Sequence, residues 1–363
     1  MVKANPLAGD LDHVLNHTRE QWDELRGNRI FITGATGFFG CWLLETFAWA
    51  NQRLHLNAQA AILTRSPEKL ERQLPHLADQ ISDVIVGDVR TFNFPAGSFS
   101  HLVNAATESS VELNEKHPTI MFDTIFQGTR HCLDFASHSG VKKFLLTSSG
   151  AVYGKQPAGV SHLAEDFSSG PDPLDPQSAY GEGKRAAELL CVLQAKQSNL
   201  EAKIARCFAF VGPYMKLDAH FAIGNFIRDQ LAGFPISVRG DGTTVRSYLY
   251  ASDLMIWLWT ILFRGESSRA YNVGSEEAIS IAELASLIAA SASPRMPINI
   301  AEKRIPGALE ARYVPSTQRA QKELGLRCLI SLQSAIERTI DWNHSRSNLN
   351  DAHLVTAPLG GTH

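Results

Sequence analysis

Short apolar runs alternate with longer amphipathic segments from residue 29 onward. The short runs predict strands at 29–33, 60–64, 83–86, 101–105 and 143–147, and the longer segments include helices predicted at 41–50 and 119–137. Strands that alternate with helices favour a parallel, doubly wound sheet with helices on both faces. The hydrophobic pattern therefore places the chain in the α/β class.

The pattern also divides the chain into four segments. Residues 1–27 have apolar positions at helical spacing up to Gly27, which predicts an N-terminal helical extension. The alternation of strands and helices fills 28–210. Prolines and glycines then break it into shorter elements, so 211–343 is expected to form mainly a smaller C-terminal lobe. Residues 344–363 are polar and glycine-rich, and we expect a flexible tail there.

Composition narrows the class of protein. A formal net charge of −3 and a sequence pI near 6.5 provide no basic field for nucleic acid. The five cysteines are far apart and never form a C-x-x-C pair, which fits neither a disulfide framework nor a metal site. Residues 1–27 lack the apolar core of a signal peptide, and the most apolar stretch, 254–263, is too short to span a membrane. We therefore expect a cytoplasmic protein with no membrane, nucleic-acid or metal partner.

Three glycines, Gly34, Gly37 and Gly40, lie between the first predicted strand and the first helix of the sheet. At such a turn, backbone N–H groups and the helix N-terminus can hold a pyrophosphate. Arg65 follows the second strand, where an NAD-preferring enzyme usually carries an acid. Either Arg65 pairs with the 2′-phosphate of NADP, or it is an exposed arginine at a strand end.

A hydroxyl, a phenol and a lysine occur in an order that suits oxidation of a carbinol. Ser149 follows an apolar strand, and Tyr180 and Lys184 are four residues apart, which places them on one face of a helix. The Tyr–Lys spacing alone is common by chance and would then reflect surface packing. Together, the three groups can take a proton from a hydroxyl while hydride leaves its carbon.

The ordered series of Thr33-Gly-x-x-Gly-x-x-Gly40, Ser149 before Val152-Tyr153-Gly154, and Tyr180-x-x-x-Lys184 resembles the extended short-chain dehydrogenase/reductases, in particular the NAD-dependent epimerase/dehydratase family. The resemblance continues through 206–213, 240–253 and 271–274 and covers about 28–343. It implies a Rossmann-like dinucleotide-binding domain at 28–210, a nucleotide-sugar lobe at 211–343, and a homodimer formed through a pair of helices per subunit.

The resemblance also implies residue roles. Tyr180 would be the base, with a pKa lowered by Lys184 and the nicotinamide ring, and Ser149 would hydrogen-bond the reacting oxygen. NAD or NADP would contact Tyr180 and Lys184 together with Gly34, Thr36, Gly37, Phe38, Phe39, Gly40, Arg65, Asp88, Val89, Ala105 and Ala106. A nucleotide-diphosphate sugar would contact Thr107, Ala209, Asn225, Arg239 and Arg246, with His220 a weaker candidate. Asn104 and Thr107 would either face the nicotinamide or form a polar strand-end cap.

The residues after Ser149 bear on the reaction. Dehydratases of the family carry an Asp-Glu pair there and the related decarboxylases a Glu, whereas this chain has Gly150 and Ala151. These small residues resemble the epimerases, so we expect an epimerase that passes through a transient keto sugar. An NADPH-dependent keto-sugar reductase, a reductase of a small non-sugar carbonyl, a dehydratase using Glu108, Glu165 or Asp166, and a non-catalytic cofactor-sensing module stay open.

Overall fold

A computed structural model describes residues 5–107, 111–219, 221–304 and 310–355. The strands are β1 (Arg29–Thr33), β2 (Gln59–Thr64), β3 (Ile81–Val86), β4 (His101–Asn104), β5 (Lys143–Ser149), β6 (Glu201–Cys207), β7 (Phe210–Val211), β8 (Ile236–Val238), β9 (Val245–Arg246), β10 (Leu249–Tyr250), β11 (Arg269–Val273), β12 (Ile279–Ser280), β13 (Ile298–Ile300) and β14 (Arg312–Tyr313).

The α-helices are α1 (Ala8–Thr18), α2 (Phe38–Leu54), α3 (Pro67–Gln73), α4 (Val111–Lys116), α5 (Pro118–His138), α6 (Ala179–Gln197), α7 (Ala222–Leu231), α8 (Ala251–Arg264), α9 (Ile281–Ala290), α10 (Gln318–Leu324) and α11 (Leu332–Val355). Short 3₁₀ helices occupy Arg19–Leu25, Pro75–Gln80, Gly150–Tyr153 and Pro176–Ser178. No helix in the described ranges combines the length and the apolar character needed to cross a membrane.

The central sheet has seven parallel strands in the order β11-β6-β5-β4-β1-β2-β3. The strand order reverses between β1 and β4, which is the switch point of a Rossmann fold. Helices α1, α2 and α8 contribute to the core on one face of the sheet, and α5 and α6 pack on the other. The prediction of a doubly wound α/β sheet is confirmed, and the crevice at the switch point lies beside the glycine turn.

The small lobe is not one continuous segment. After β6 the chain leaves the central sheet, returns to it through the buried helix α8 and strand β11, and leaves again. The return explains why the stretch 254–263 is apolar on all sides, since α8 lies within the core. The segment 211–343, predicted to be mainly the smaller lobe, thus includes α8 in the main core and β11 in the central sheet.

The C-terminal segment also differs from the prediction. A flexible tail was expected from residue 344, but α11 continues to Val355. The polar composition suggested a tail because a helix with one partly covered face carries few apolar positions. Residues 356–363 of the expected tail lie outside the described residues.

The N-terminal extension is helical, as α1 followed by a 3₁₀ helix, and is anchored to distant parts of the chain. Tyr250 donates a hydrogen bond to Asp10 over 2.7 Å, and the guanidinium of Arg338 pairs with the same carboxylate. The indole ring of Trp22 packs against that of Trp259 with centroids 4.5 Å apart. The extension thus packs on α8 through aromatic rings and is tied to β10 and α11 by polar contacts.

Candidate active site

The glycine turn after β1 is closely packed against the end of β4. Gly34 has φ of +71°, and a Cβ at this position would lie 2.5 Å from the carbonyl oxygen of Ala105. A Cβ on Gly40 would overlap the carbonyl oxygen of Gly34. Both positions therefore require glycine, for the positive φ and for the close approach of α2 to the turn.

The N-terminus of α2 fits an anionic ligand. Gly37 is the N-cap residue and has no side chain to accept hydrogen bonds from the first helical turn. The backbone N–H groups of Ala105 and Ala106 both donate to the Thr33 hydroxyl, which ties the end of β4 to β1. The uncapped helix N-terminus and the glycine cradle are suited to a pyrophosphate.

The far end of the crevice carries two guanidinium groups. Arg65 is exposed immediately after β2, and Arg90 donates to both carboxylate oxygens of Asp88. The hydrogen bonds from Arg90, with a smaller contribution from Arg65, hold the pKa of Asp88 below its usual range. Val89 is buried and packs against Gly128 of α5. Of the predicted contacts Asp88 and Val89, Asp88 is half-buried and Val89 is buried.

Lys184 is the most deeply buried of the predicted catalytic groups, with 2% of its surface exposed. Its ammonium donates to the Thr107 hydroxyl over 2.8 Å and to the carbonyl oxygen of Thr147 over 2.7 Å. Burial lowers the pKa of Lys184 to about 8. Thr107, predicted to contact substrate, thus lies against the lysine.

Ser149 and Tyr180 meet where β5 ends beside the first turn of α6. The Ser149 hydroxyl accepts a hydrogen bond from the backbone N–H of Ala151 over 3.1 Å and also interacts with the Tyr180 phenol. Burial raises the pKa of Tyr180, and the hydrogen bond with Ser149 opposes that rise. The Nζ atom of Lys184 lies 5.9 Å from the centre of the Tyr180 ring.

A second phenol, Tyr313, lies near this end of β5. Its ring packs against that of Phe208 in a tilted arrangement with centroids 4.7 Å apart. Burial raises the pKa of Tyr313, and the Ser149 hydroxyl opposes that rise. A Cβ on Gly150 would lie 2.5 Å from the Tyr313 hydroxyl and 2.7 Å from the Phe208 ring. The two rings therefore fill the space beside position 150.

Arg246 joins this cluster through the small sheet β12-β9-β14, in which it is the register partner of Tyr313. Its guanidinium lies 5.7 Å from the Tyr313 ring centre and donates to the backbone oxygen of Val245. Its described contacts include no carboxylate, and its partial burial lowers its pKa. A half-buried arginine without an acidic partner is suited to bind an anionic ligand.

Comparison with known proteins shows to which family the chain belongs. The profile of the NAD dependent epimerase/dehydratase family matches residues 30–274. The chain belongs to this family.

Among the relatives of this epimerase/dehydratase chain, UDP-glucuronic acid decarboxylase 1 of Danio rerio is 28% identical over 86% of the chain and 72% of the relative. A dTDP-glucose 4,6-dehydratase of Streptomyces griseus is 26% identical over 87% of the chain and 94% of the relative. The solved UDP-glucose 4-epimerase of Thermotoga maritima is 18% identical, with a TM-score of 0.72 over 88% of this chain and 99% of that one. The chain is therefore similar in sequence to enzymes with two different reactions and similar in fold to an enzyme with a third.

The remaining residues that were predicted to contact cofactor or substrate differ in their neighbours and in their burial. Phe39 packs edge-on against Phe210, and the Phe38 ring adjoins Phe39. Asn225 on α7 accepts a hydrogen bond from Arg228, and Arg239 is exposed after β8. Half-buried Thr36 lies in the glycine turn and half-buried Ala209 just before β7. His220 lies outside the described residues.

Three polar residues were candidates for a contact with the nicotinamide or for the acid and base of a dehydratase. Each has contacts outside the cluster around Ser149. Asn104 is buried, accepts a hydrogen bond from Thr33 and donates one to Thr129, so it caps the strand end and does not face the crevice. Glu165 accepts a hydrogen bond from the backbone N–H of Asn272 and holds β11. Asp166 lines a separate cavity of about 270 Å³ that also borders Arg206. Glu108 lies outside the described residues.

Sequence inspection missed Tyr313 and Phe208. Neither belongs to a motif with Ser149, and the contact depends on the fold of the small lobe. The one sequence feature that pointed to them is Gly150. A glycine directly after the reactive hydroxyl is consistent with other side chains filling the place of its Cβ.

Proposed function

We propose that the protein is an NAD(P)-dependent nucleotide-sugar epimerase that oxidises a ring hydroxyl to a transient keto sugar. The observation that carries the proposal is the combination of Ser149, Tyr180 and Lys184 with a filled space at Gly150. These residues provide for removal and return of a hydroxyl proton. They provide no carboxylate pair for elimination of water.

The glycine cradle and the uncapped N-terminus of α2 support a dinucleotide site. In the proposal, Gly34, Thr36, Gly37, Phe38, Phe39 and Gly40 surround the pyrophosphate, while Asp88, Val89, Ala105 and Ala106 border the adenosine half and the crevice. The dinucleotide supplies a hydride acceptor at the ring carbon. The adenosine 2′ position is assigned to the neighbourhood of Arg65.

The catalytic residues divide the proton chemistry among them. Tyr180 takes the proton of the sugar hydroxyl and later returns it, and Ser149 donates a hydrogen bond to the same oxygen as it becomes a carbonyl. Lys184 is held by Thr107 and by the backbone of Thr147, so its charge stays fixed near Tyr180. These roles require no further acid.

Arg246 supports a nucleotide-diphosphate substrate. Its guanidinium lacks a described acidic partner and adjoins Tyr313, which in turn adjoins Ser149. A diphosphate on Arg246 would therefore place the attached sugar toward the catalytic hydroxyls. The solved epimerase contains UDP-glucose, which is a substrate of this class. Thr107, Ala209, Asn225 and Arg239 are proposed to border the rest of the substrate.

A keto-sugar reductase is the second candidate, and Arg65 is the observation that favours it. Arg65 lies close enough to Asp88 to lower the pKa of that carboxyl, so positive charge borders the expected 2′ position of adenosine. Positive charge at that position favours NADP. A reductase exchanges this cofactor at every turnover, whereas an epimerase retains it.

Identification of the bound dinucleotide and of the sugar product tests the proposal. The purified protein is denatured and any released dinucleotide is identified by mass spectrometry, and then UDP-, dTDP-, GDP- and CDP-sugars are supplied with and without NADPH. An isomerised sugar without net absorbance change supports the epimerase. Steady NADPH consumption supports the reductase, and a 4-keto-6-deoxy product would contradict both.

The matched variant is Tyr180→Phe. It removes only the phenol oxygen, so turnover should fall at least about 100-fold while dinucleotide binding is retained. Full activity in this variant would contradict the assignment of Tyr180.

A further inference from the structure

A buried ion pair lies one helical turn from Lys184. The Arg206 guanidinium on β6 donates through two nitrogen atoms to the Glu188 carboxylate on α6, with 2.7 Å between the closest atoms. Only 8% of the surface of Glu188 is exposed. We propose that Glu188 is a positioning residue that fastens α6 to the end of β5 and thereby holds Lys184 at the catalytic serine. The inference rests on the proposed function, in which the charge of Lys184 assists Tyr180.

The Glu188 carboxylate joins three elements at one row of the sheet. The Ser148 hydroxyl on β5 donates to it over 2.5 Å, and Ser148 is the register partner of Arg206 on β6. Ser148 directly precedes Ser149 in the chain, and Glu188 lies about one turn beyond Lys184 on α6. The carboxylate therefore fixes the strand end that carries Ser149 relative to the helix that carries Lys184.

Arg206 is itself held by groups other than Glu188. Its guanidinium donates to the Tyr153 hydroxyl over 2.9 Å and to the carbonyl oxygen of Glu165 over 3.3 Å. The Tyr153 hydroxyl in turn donates to the side-chain oxygen of buried Asn272 over 2.7 Å. Because these contacts fix the guanidinium, they also fix the carboxylate that pairs with it.

Glu188 also supplies negative charge to Lys184. Burial lowers the pKa of Lys184 to about 8, and the Glu188 carboxylate opposes that fall. The other described groups that face the ammonium from α6, β6, β5 and the end of β4 are uncharged at pH 7; they are the Tyr180 phenol, the Cys191 and Cys207 thiols, the Thr147 carbonyl oxygen and the Thr107 hydroxyl. Burial raises the pKa of both thiols and of the phenol, which keeps them neutral.

Glu188→Gln should therefore lower the pKa of Lys184. The substitution keeps the size of the side chain and an oxygen that can accept from Ser148, but it leaves the Arg206 guanidinium without its carboxylate. We expect the pKa of Lys184 to fall by about 0.5–1 pH unit. A lysine loses its charge as the pH rises through its pKa, so the alkaline limb of the kcat/KM profile should move down equally. Above the wild-type limb, this is a roughly 3–10-fold loss of activity.

Direct titration of Lys184 tests the same point without turnover. In protein labelled with ¹³C at the lysine Cε atoms, the signal of Lys184 is identified by its absence from Lys184→Met, and its chemical shift is followed against pH. The titration midpoint should be lower in Glu188→Gln than in the wild type, and equal midpoints would overturn the proposal. A wild-type protein inactive on every sugar would instead contradict the proposed function, which this titration does not require.

Asp10→Asn is the matched control. The Asp10 carboxylate also accepts from an arginine and from a hydroxyl, those of Arg338 and Tyr250. Its side chain is 10% exposed, against 11% for Glu188. Both variants should lose stability, because each leaves a guanidinium without its carboxylate. Only Glu188→Gln should move the midpoint of Lys184, and an equal movement in both variants would show a merely structural effect.

Ser148→Ala separates the fastening of α6 from the charge, and it also serves if Glu188→Gln does not fold. It removes the hydroxyl that joins β5 to Glu188 but keeps the ion pair. We expect kcat to fall about 3–10-fold, with KM for the nucleotide sugar and the midpoint of Lys184 unchanged. Tyr250→Phe removes the corresponding hydroxyl of the control pair and should keep the wild-type kcat. A wild-type kcat in Ser148→Ala would overturn the positioning role.

Discussion

Tyr313 and Phe208 determine which side chains position 150 can hold. A Cβ there would lie 2.5 Å from the Tyr313 hydroxyl and 2.7 Å from the Phe208 ring, and real Cβ contacts are longer than this. Both rings are packed, so neither can swing aside as the end of a long side chain would. The site thus leaves no room at position 150 for the first acid of the pair that dehydratases carry.

Gly150→Ala should therefore lower both stability and activity. The added methyl group must displace the two rings, which is expected to reduce the free energy of unfolding by about 1–3 kcal/mol. Turnover should fall because relief of the overlap shifts the backbone next to Ser149. Denaturant unfolding and steady-state kinetics measure the two effects.

Gly9→Ala is the control, since a Cβ on Gly9 meets no atom within 4 Å and lies in a helix. It should leave activity unchanged and stability equal or slightly higher. If Gly150→Ala behaved like Gly9→Ala, the space beside Ser149 would not be filled as described.

Two kinds of information decide which site residues could be predicted. Tyr180 and Lys184 were predictable because helical spacing fixes their relative placement within one element. The placement of Tyr313 near Ser149 was not, because it depends on how β14 pairs with β9 and how the lobe meets β5. The burial that raises the pKa of Tyr180 in the chain alone was likewise not visible in the sequence.

At the scale of elements, local pattern predicted five of the seven strands of the main sheet, and β6 and β11 were not predicted. The strand predicted at 29–33 coincides with β1, and those at 60–64 and 83–86 differ from β2 and β3 only at their starts. The small lobe was less predictable because strands of two or three residues, such as β9 and β14, are too short to show a periodicity. The return of β11 to the sheet depends on long-range pairing with β6.

Helices α5 and α6 leave an apolar surface that fits the expected homodimer. Leu189 and Leu193 lie one helical turn apart on α6 and are 59% and 43% exposed, and Ile120 on neighbouring α5 is 45% exposed. Exposed aliphatic side chains on two adjacent helices favour association. We propose that a second copy of the chain covers this surface.

The double substitution Leu189→Glu and Leu193→Glu should convert the dimer into a monomer, because it places four carboxylates in a closed apolar interface. Light scattering after gel filtration measures the mass. Leu174→Glu is the control, since Leu174 is 90% exposed and lies on a loop outside both helices. A mass equal to one chain in the wild type would contradict the dimer.

For the whole molecule, one buried histidine links stability to pH. His101 lies on β4 in the centre of the sheet with 4% of its surface exposed. Burial lowers its pKa to about 4, against 6.5 as the ordinary value, despite the nearby carboxylate of Glu24. Between these two values the unfolded chain takes up a proton that the folded chain does not.

The contribution of His101 to stability should therefore be complete above pH 6.5 and decline as the pH falls toward 4. The loss is about 3 kcal/mol over this window, and no further loss from this residue follows below it. His101→Gln should reduce the slope of unfolding free energy against pH. Denaturant unfolding at several pH values measures the slope.

His55→Asn serves as the comparison because His55 is exposed after α2. It should keep the wild-type slope. An identical slope in His101→Gln and wild type would show that His101 is not the residue responsible.

The contacts of the N-terminal extension have a consequence for synthesis on the ribosome. Asp10 is made early, but its partners Tyr250 and Arg338 follow 240 and 328 residues later. The sheet from β1 to β6 can assemble while the chain is still growing, whereas α1 and the ring of Trp22 wait for α8 and α11 before they are fully covered. Helix α1 thus leaves the ribosome before the strands of the sheet but reaches its final position after them, and until then its apolar face is open to a chaperone.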